Sequence, residues 1–223
     1  MQDYSLGLAL FDYIPVLLSA LGLGLLARQI GQALPGSRPW VWIGVALVLG
    51  GGLSKASWKL IWVLQAVDVV LLNNLLFILM APGMLILAFH TAAACRIWQG
   101  AEPGHALAPA LILGALALAG AAFAAGGGGK TWFFILLGTA SLANISMSTL
   151  LIRFSWKQNE RLTASVFLFS ILVILSLSGL ARISEGSAPL QWLAECLNAL
   201  AHGSFALAVW RLQRSILSRP ASV

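Results

Sequence analysis

Six side chains in this sequence combine reactive chemistry with suggestive spacing: Lys55, Lys59, Asn144, Glu195, Asn198 and His202. Glu195, Asn198 and His202 are three and then four residues apart, which on a helix places them on one face. A carboxylate, an amide and an imidazole in that order suit ligand contact or proton traffic, with Glu195 and His202 as the titrating members. The two are separated by two turns, about 10 Å along a helix axis, too far for a direct acid–base dyad. Lys55 and Lys59 are four apart and share a face. Held inside a bundle, they would attract an anionic moiety such as a carboxylate or a phosphate headgroup, as point charges rather than as a bidentate fork. Turned outward, they would be two lysines reaching for the membrane surface. Ser141, Asn144 and Ser148 form a third polar face, for which hydrogen bonding between helices is a sufficient explanation.

The elements that must position these groups follow from composition. Only 9% of the 223 residues are charged, 60% are hydrophobic, and the mean hydropathy is +0.91. A water-soluble domain carries about a quarter charged residues, so the solvent that fits this chain is lipid. A membrane-spanning helix needs about 20 apolar residues. Runs of that length fall at 9–30, 40–64, 70–96, 107–125, 131–153, 163–182 and 190–210. Turn chemistry separates them: Pro35 to Pro39, Glu102-Pro103-Gly104, Gly126 to Gly129, and Glu185 to Pro189. Between the second and third runs the break is weaker, at Gln65 to Asp68. The expectation is an all-α integral membrane protein, a seven-transmembrane-helix bundle in which residues 1–223 form one transmembrane domain.

Lysine and arginine placement orients the bundle. With the N-terminus outside and the C-terminus cytoplasmic, the inner side holds Arg28, Arg38, Arg96, Arg153, Lys157, Arg161, Arg211, Arg214 and Arg219. The outer side holds Lys55, Lys59, Lys130 and Arg182, a bias of nine to four. Met1 to Tyr4 lack the positive segment of a cleavable signal peptide, so the first run is expected to remain as a helix. Asp12, before Tyr13-Ile14-Pro15, reads as a helix start and, together with Asp68, as an ion-pair partner for the lysines. Polar residues then crowd the outer half, with Asn144 and His202 below them, and the inner half looks sealed. The pattern predicts a polar cavity open to the outside. Pro82-Gly83 predicts a bend in the third span. The Ala- and Gly-rich fourth span predicts close helix contact.

Several chemistries are excluded. Ala124 to Thr131 imitates a phosphate-binding loop, but that mechanism needs a strand before the loop and here a membrane helix precedes it. His90, His105 and His202 are too scattered for a histidine-cluster oxidase, and His90 and His202 lie at different depths, which disfavours a bis-histidine haem. Helix seven has no lysine for a retinal-type Schiff base, and no GxSG serine-protease motif occurs. No cofactor or metal is implied, and no basic stripe points to nucleic acid. Cys95 and Cys196 fall toward opposite faces and read as unpaired. Expected partners are membrane lipids, a small-molecule ligand, and a second copy or another membrane subunit. The expected location is a cell membrane, plasma or bacterial inner. The leading function is binding or transport of a small polar or amphipathic molecule. A non-catalytic membrane subunit or anchor is the alternative, and an intramembrane lipid-modifying enzyme ranks third.

Overall fold

The structure, a computed structural model, describes residues 5–180 and 188–217. It is all-helical there, without strands: α1 (Leu6–Phe11), α2 (Tyr13–Ala33), α3 (Arg38–Gln65), α4 (Val70–Trp98), α5 (Leu107–Gly126), α6 (Thr131–Lys157), α7 (Arg161–Leu180) and α8 (Ala188–Leu217). The short α1 continues into α2 as one rod, so the described chain forms seven rods. Five are long and apolar enough to cross a membrane: Leu6–Ala33, Pro35–Gln65, Val70–Trp98, Leu107–Gly126 and Thr131–Lys157. The sixth has a shorter apolar stretch, Arg161–Leu177, and the seventh carries the polar Glu195, Asn198 and His202. Arg182, Arg219 and the link at residues 185–187 lie outside the described residues.

Two sequence expectations about the first rod need correction. It begins at Leu6, three residues earlier than expected, because the Ser5 hydroxyl accepts from the Leu8 amide. Asp12 does not cap a helix start. It interrupts the rod, and its side chain makes no capping bond. The third, fifth and seventh rods end deeper in the polar region than their apolar runs, at Trp98, Lys157 and Leu217, since backbone hydrogen bonding continues past Arg96, Arg153 and Trp210.

Neighbouring rods form a closed ring in the order α2, α3, α4, α6, α7, α8 and back to α2, with α5 outside against α4 and α6. The α2 and α8 rods run parallel. Phe11 meets Trp192 at one end, and Gln29 meets Val209 toward the other. The α4 and α6 rods are also parallel, from Phe77 on Phe133 to Trp98 on Phe154. Their common direction brings the ends near Phe11, Phe77 and Trp192 together, and this end is termed outer after the sense predicted by the lysine and arginine bias.

Glycine sets the closest approach. A methyl group at Gly51 would lie 2.5 Å from the Leu76 carbonyl oxygen, and one at Gly83 would lie 2.9 Å from that of Gly44. The α3 and α4 backbones therefore touch along their length. Pro82 sits inside a continuous α4, with Gly114 of α5 facing it. On α5 only Ala110, Gly114 and Ala121 are buried, a stripe of small residues in close contact with the bundle, while most of that helix faces outward. The larger core fills the inner half with Leu26, Ile30, Leu87, Leu151, Phe154, Phe167 and Leu212. A smaller one, built on Ala81, Ala121, Leu136 and Ala140, joins α4, α5 and α6.

Candidate functional site

Lys59 is the centre of the polar arrangement. Its side chain points inward between α3, the α1–α2 break and α8, and the residue is only 8% exposed. Nζ lies 2.6 Å from Asp12 Oδ2 and 2.7 Å from Glu195 Oε1, so two carboxylates from the first and last rods converge on one ammonium. The interruption at Asp12 brings its carboxylate into this cluster. Asn198, a turn further along α8, adds a side-chain interaction to Glu195. Asp12 Oδ1 is buried and receives no hydrogen bond from a donor among the described residues, and its carboxyl lies against that of Glu195.

Lys55, one turn away on α3, is half-buried. Its Nζ donates to Asn73 Oδ1 at 2.5 Å and lies 4.3 Å from the centre of the Trp58 ring, a cation–π distance. Trp58 in turn donates from Nε1 to Asp68 Oδ1 at 2.8 Å. Both lysines thus face protein groups and neither is spent on the membrane surface. Lys59 is the more buried of the two, the reverse of the order expected from depth along the helix alone. Sideways orientation, which sequence distance does not measure, decides burial here.

Two turns below Glu195, His202 meets Ser19 of α2, with Nδ1 2.9 Å from the hydroxyl oxygen. Ser19 already donates its only hydroxyl proton to the Pro15 carbonyl at 2.8 Å. Nδ1 therefore carries the proton and donates to Ser19, leaving Nε2 as the acceptor of the neutral ring. Glu195 and His202 share a face of α8 and both point into the bundle, each toward a different partner. Asn144, on α6, makes no hydrogen bond among the described residues and is not joined to this cluster.

Polar groups extend further inward than the sequence suggested. Gln29, His90, Thr91, Ser148, Ser155 and Thr163 are all buried. His90 donates from Nδ1 to the Ile86 carbonyl, and Gln29 donates to the Val209 carbonyl. His90 Nε2, Gln29 Oε1, Thr91 Oγ1 and Ser155 Oγ have no hydrogen-bond partner among the described residues. Beyond Ser148 and His90, both visible in the sequence as polar groups near the inner rim, the inner half thus encloses Gln29, Thr91, Ser155 and Thr163. Single polar residues scattered over four helices make no sequence motif, and only the bundle shows that they are enclosed. Two hollows, of about 590 and 220 Å³, lie at the inner end, lined in one case by Ser37 and His105 and in the other by Arg28 and Arg38. The outer polar residues, by contrast, are packed against one another.

Among the described residues no group of three or more His, Cys, Asp and Glu side chains is arranged to hold a metal ion. Cys95 is buried and Cys196 exposed, and both are free thiols. Comparison with protein families, curated proteins and solved structures gives no match.

Proposed function

We propose that this membrane-embedded bundle binds, and carries, a small polar or amphipathic molecule that engages its outer half at the Asp12–Lys59–Glu195 cluster. The observation that carries this reading is a charge pattern with unused capacity. Two carboxylates share one ammonium, and Asp12 keeps a buried oxygen without a donor among the described residues. One turn away, Lys55 has a neutral partner in Asn73. An ammonium offers three donors. A ligand bearing both a hydrogen-bond donor and an anionic group complements this pair, the donor toward Asp12 and the anion toward Lys55. Ionisable groups inside a membrane protein are costly to insert, so their concentration at one level favours a role beyond packing.

The membrane-anchor alternative expects the charged residues on one outer surface of the bundle, whereas Asp12 and Lys59 are buried between rods. An acid–base pair of Glu195 and His202 is disfavoured because each is engaged elsewhere.

The test is thermal-shift screening of the protein in lipid nanodiscs against zwitterionic amino acids, simple amines and monocarboxylates. Stabilisation by a zwitterion in the wild type, lost in Lys55→Met and Glu195→Gln, supports the proposal. Asn144→Ala tells whether the site reaches α6. The proposal fails if no compound shifts the wild type, or if shifts are the same in the variants.

A further inference from the structure

We propose that the hollow between Arg28 and Arg38 at the inner end is a binding site for the phosphate group of an anionic membrane lipid. It lies at the opposite end from the Lys59 cluster and stands independently of the function proposed for it. Five residues line the hollow, Arg28, Gly31, Gln32, Arg38 and Trp42, around a volume of about 220 Å³. They come from the end of α2 and the start of α3, on either side of the short helical turn Pro35–Ser37.

The charge of this hollow is not balanced by the protein. Neither guanidinium forms an ion pair among the described residues, whose ion pairs are the two made by Lys59. No acidic residue is among the five that line it. Two uncompensated arginines in one concavity form an anion-seeking site, and the guanidinium fork matches phosphate oxygens two at a time.

The site is also shaped. A methyl group at Gly31 would come 3.2 Å from Arg38 Cγ, so the missing side chain lets the Arg38 stem lie flat along α2. Arg28 stands five residues before the end of α2, about 8 Å up the helix axis, from where a long side chain reaches down to headgroup level. Trp42 is 43% exposed, one turn above Arg38, where an indole belongs at the boundary between acyl chains and headgroups. The basic inner face of a membrane protein meets anionic lipid in general. What distinguishes this place is that two forks, an amide and an indole border a single hollow.

Lipid-stripped protein in detergent provides the test, with bound lipids counted by native mass spectrometry and stability followed by thermal unfolding. The probes are phosphatidylglycerol, phosphatidylcholine and inorganic phosphate. We expect phosphatidylglycerol to bind at least tenfold more tightly than phosphatidylcholine, and Arg28→Gln/Arg38→Gln to remove that preference. Arg153→Gln, an exposed inner arginine away from the hollow, should leave it unchanged. Should the double variant fail to fold, Gly31→Leu keeps both charges while displacing the Arg38 stem, and should lose the preference as well. The proposal is overturned by equal binding of the two lipids or by an equal loss in Arg153→Gln. Retention of the preference in Gly31→Leu and in the double variant also overturns it. Inorganic phosphate that saturates the site and displaces the lipid would assign it to a free anion instead.

Discussion

Lys59 of the second rod grips Glu195 of the last at 2.7 Å across 136 residues of sequence, while also holding Asp12 of the first. This contact ties the beginning, the second span and the end of the chain together at one level. Removing the ammonium alone, in Lys59→Met, leaves two buried carboxylates without their cation. A loss of about 3–5 kcal/mol is expected from breaking a buried pair on one side. The triple variant Asp12→Leu/Lys59→Met/Glu195→Met removes all three charges and should regain most of that stability. Thermal or denaturant unfolding in nanodiscs measures both. If the triple variant is as unstable as the single one, charge imbalance is not what Lys59 relieves.

Ser19 and His202 supply a second test. Ser19→Ala removes the oxygen that receives the His202 proton and should cost about 1–3 kcal/mol, the range for orphaning a buried donor. Nitrogen-15 NMR of histidine-labelled protein should show His202 protonated on Nδ1 in the wild type. A ring protonated on Nε2 would reverse the donor order deduced from the Ser19–Pro15 bond.

The α3–α4 contact predicts a graded response to adding one methyl group. Gly51→Ala would press on the Leu76 carbonyl oxygen, and Gly83→Ala on that of Gly44, both backbone atoms that move only with the helix. Each should destabilise by about 1–3 kcal/mol, as overpacking does. Gly120→Ala and Gly138→Ala meet nothing within 4 Å and should be neutral or slightly stabilising. Equal effects at all four positions would mean that helix propensity, not close packing, selects these glycines.

Orientation can be read with single cysteines in a background lacking Cys95 and Cys196. Lys130→Cys, between α5 and α6, should react with a membrane-impermeant maleimide applied from outside. Gln158→Cys, between α6 and α7, should react only after the membrane is opened. The opposite pattern would invert the bundle and move the Lys59 cluster to the inner half.

The spans were legible because apolar length is a property of the sequence itself. The expected 40–64, 70–96, 107–125 and 131–153 correspond to Arg38–Gln65, Val70–Trp98, Leu107–Gly126 and Thr131–Lys157. The inner ends of the third and fifth spans extend beyond the expected ones because hydrogen bonding continues after hydropathy falls, as from Arg153 to Lys157. At the site, the chemistry of Lys55, Lys59, Glu195 and His202 was visible, but their pairing was not. The bond between His202 and Ser19 requires α8 to lie parallel beside α2, and no local spacing encodes which helices become neighbours. Gln29 and Thr91 directly follow Arg28 and His90, and that adjacency does not tell which side chains turn inward.

The parallel pairing of α2 with α8 has a consequence for biosynthesis. The ring closes between α2 and α8, so Lys59, Ser19 and Gln29 lack Glu195, His202 and Val209 until α8 has been synthesised. Through most of translation the opening span carries unmet polar groups in the membrane. A chain stopped short of α8 would keep them unmet.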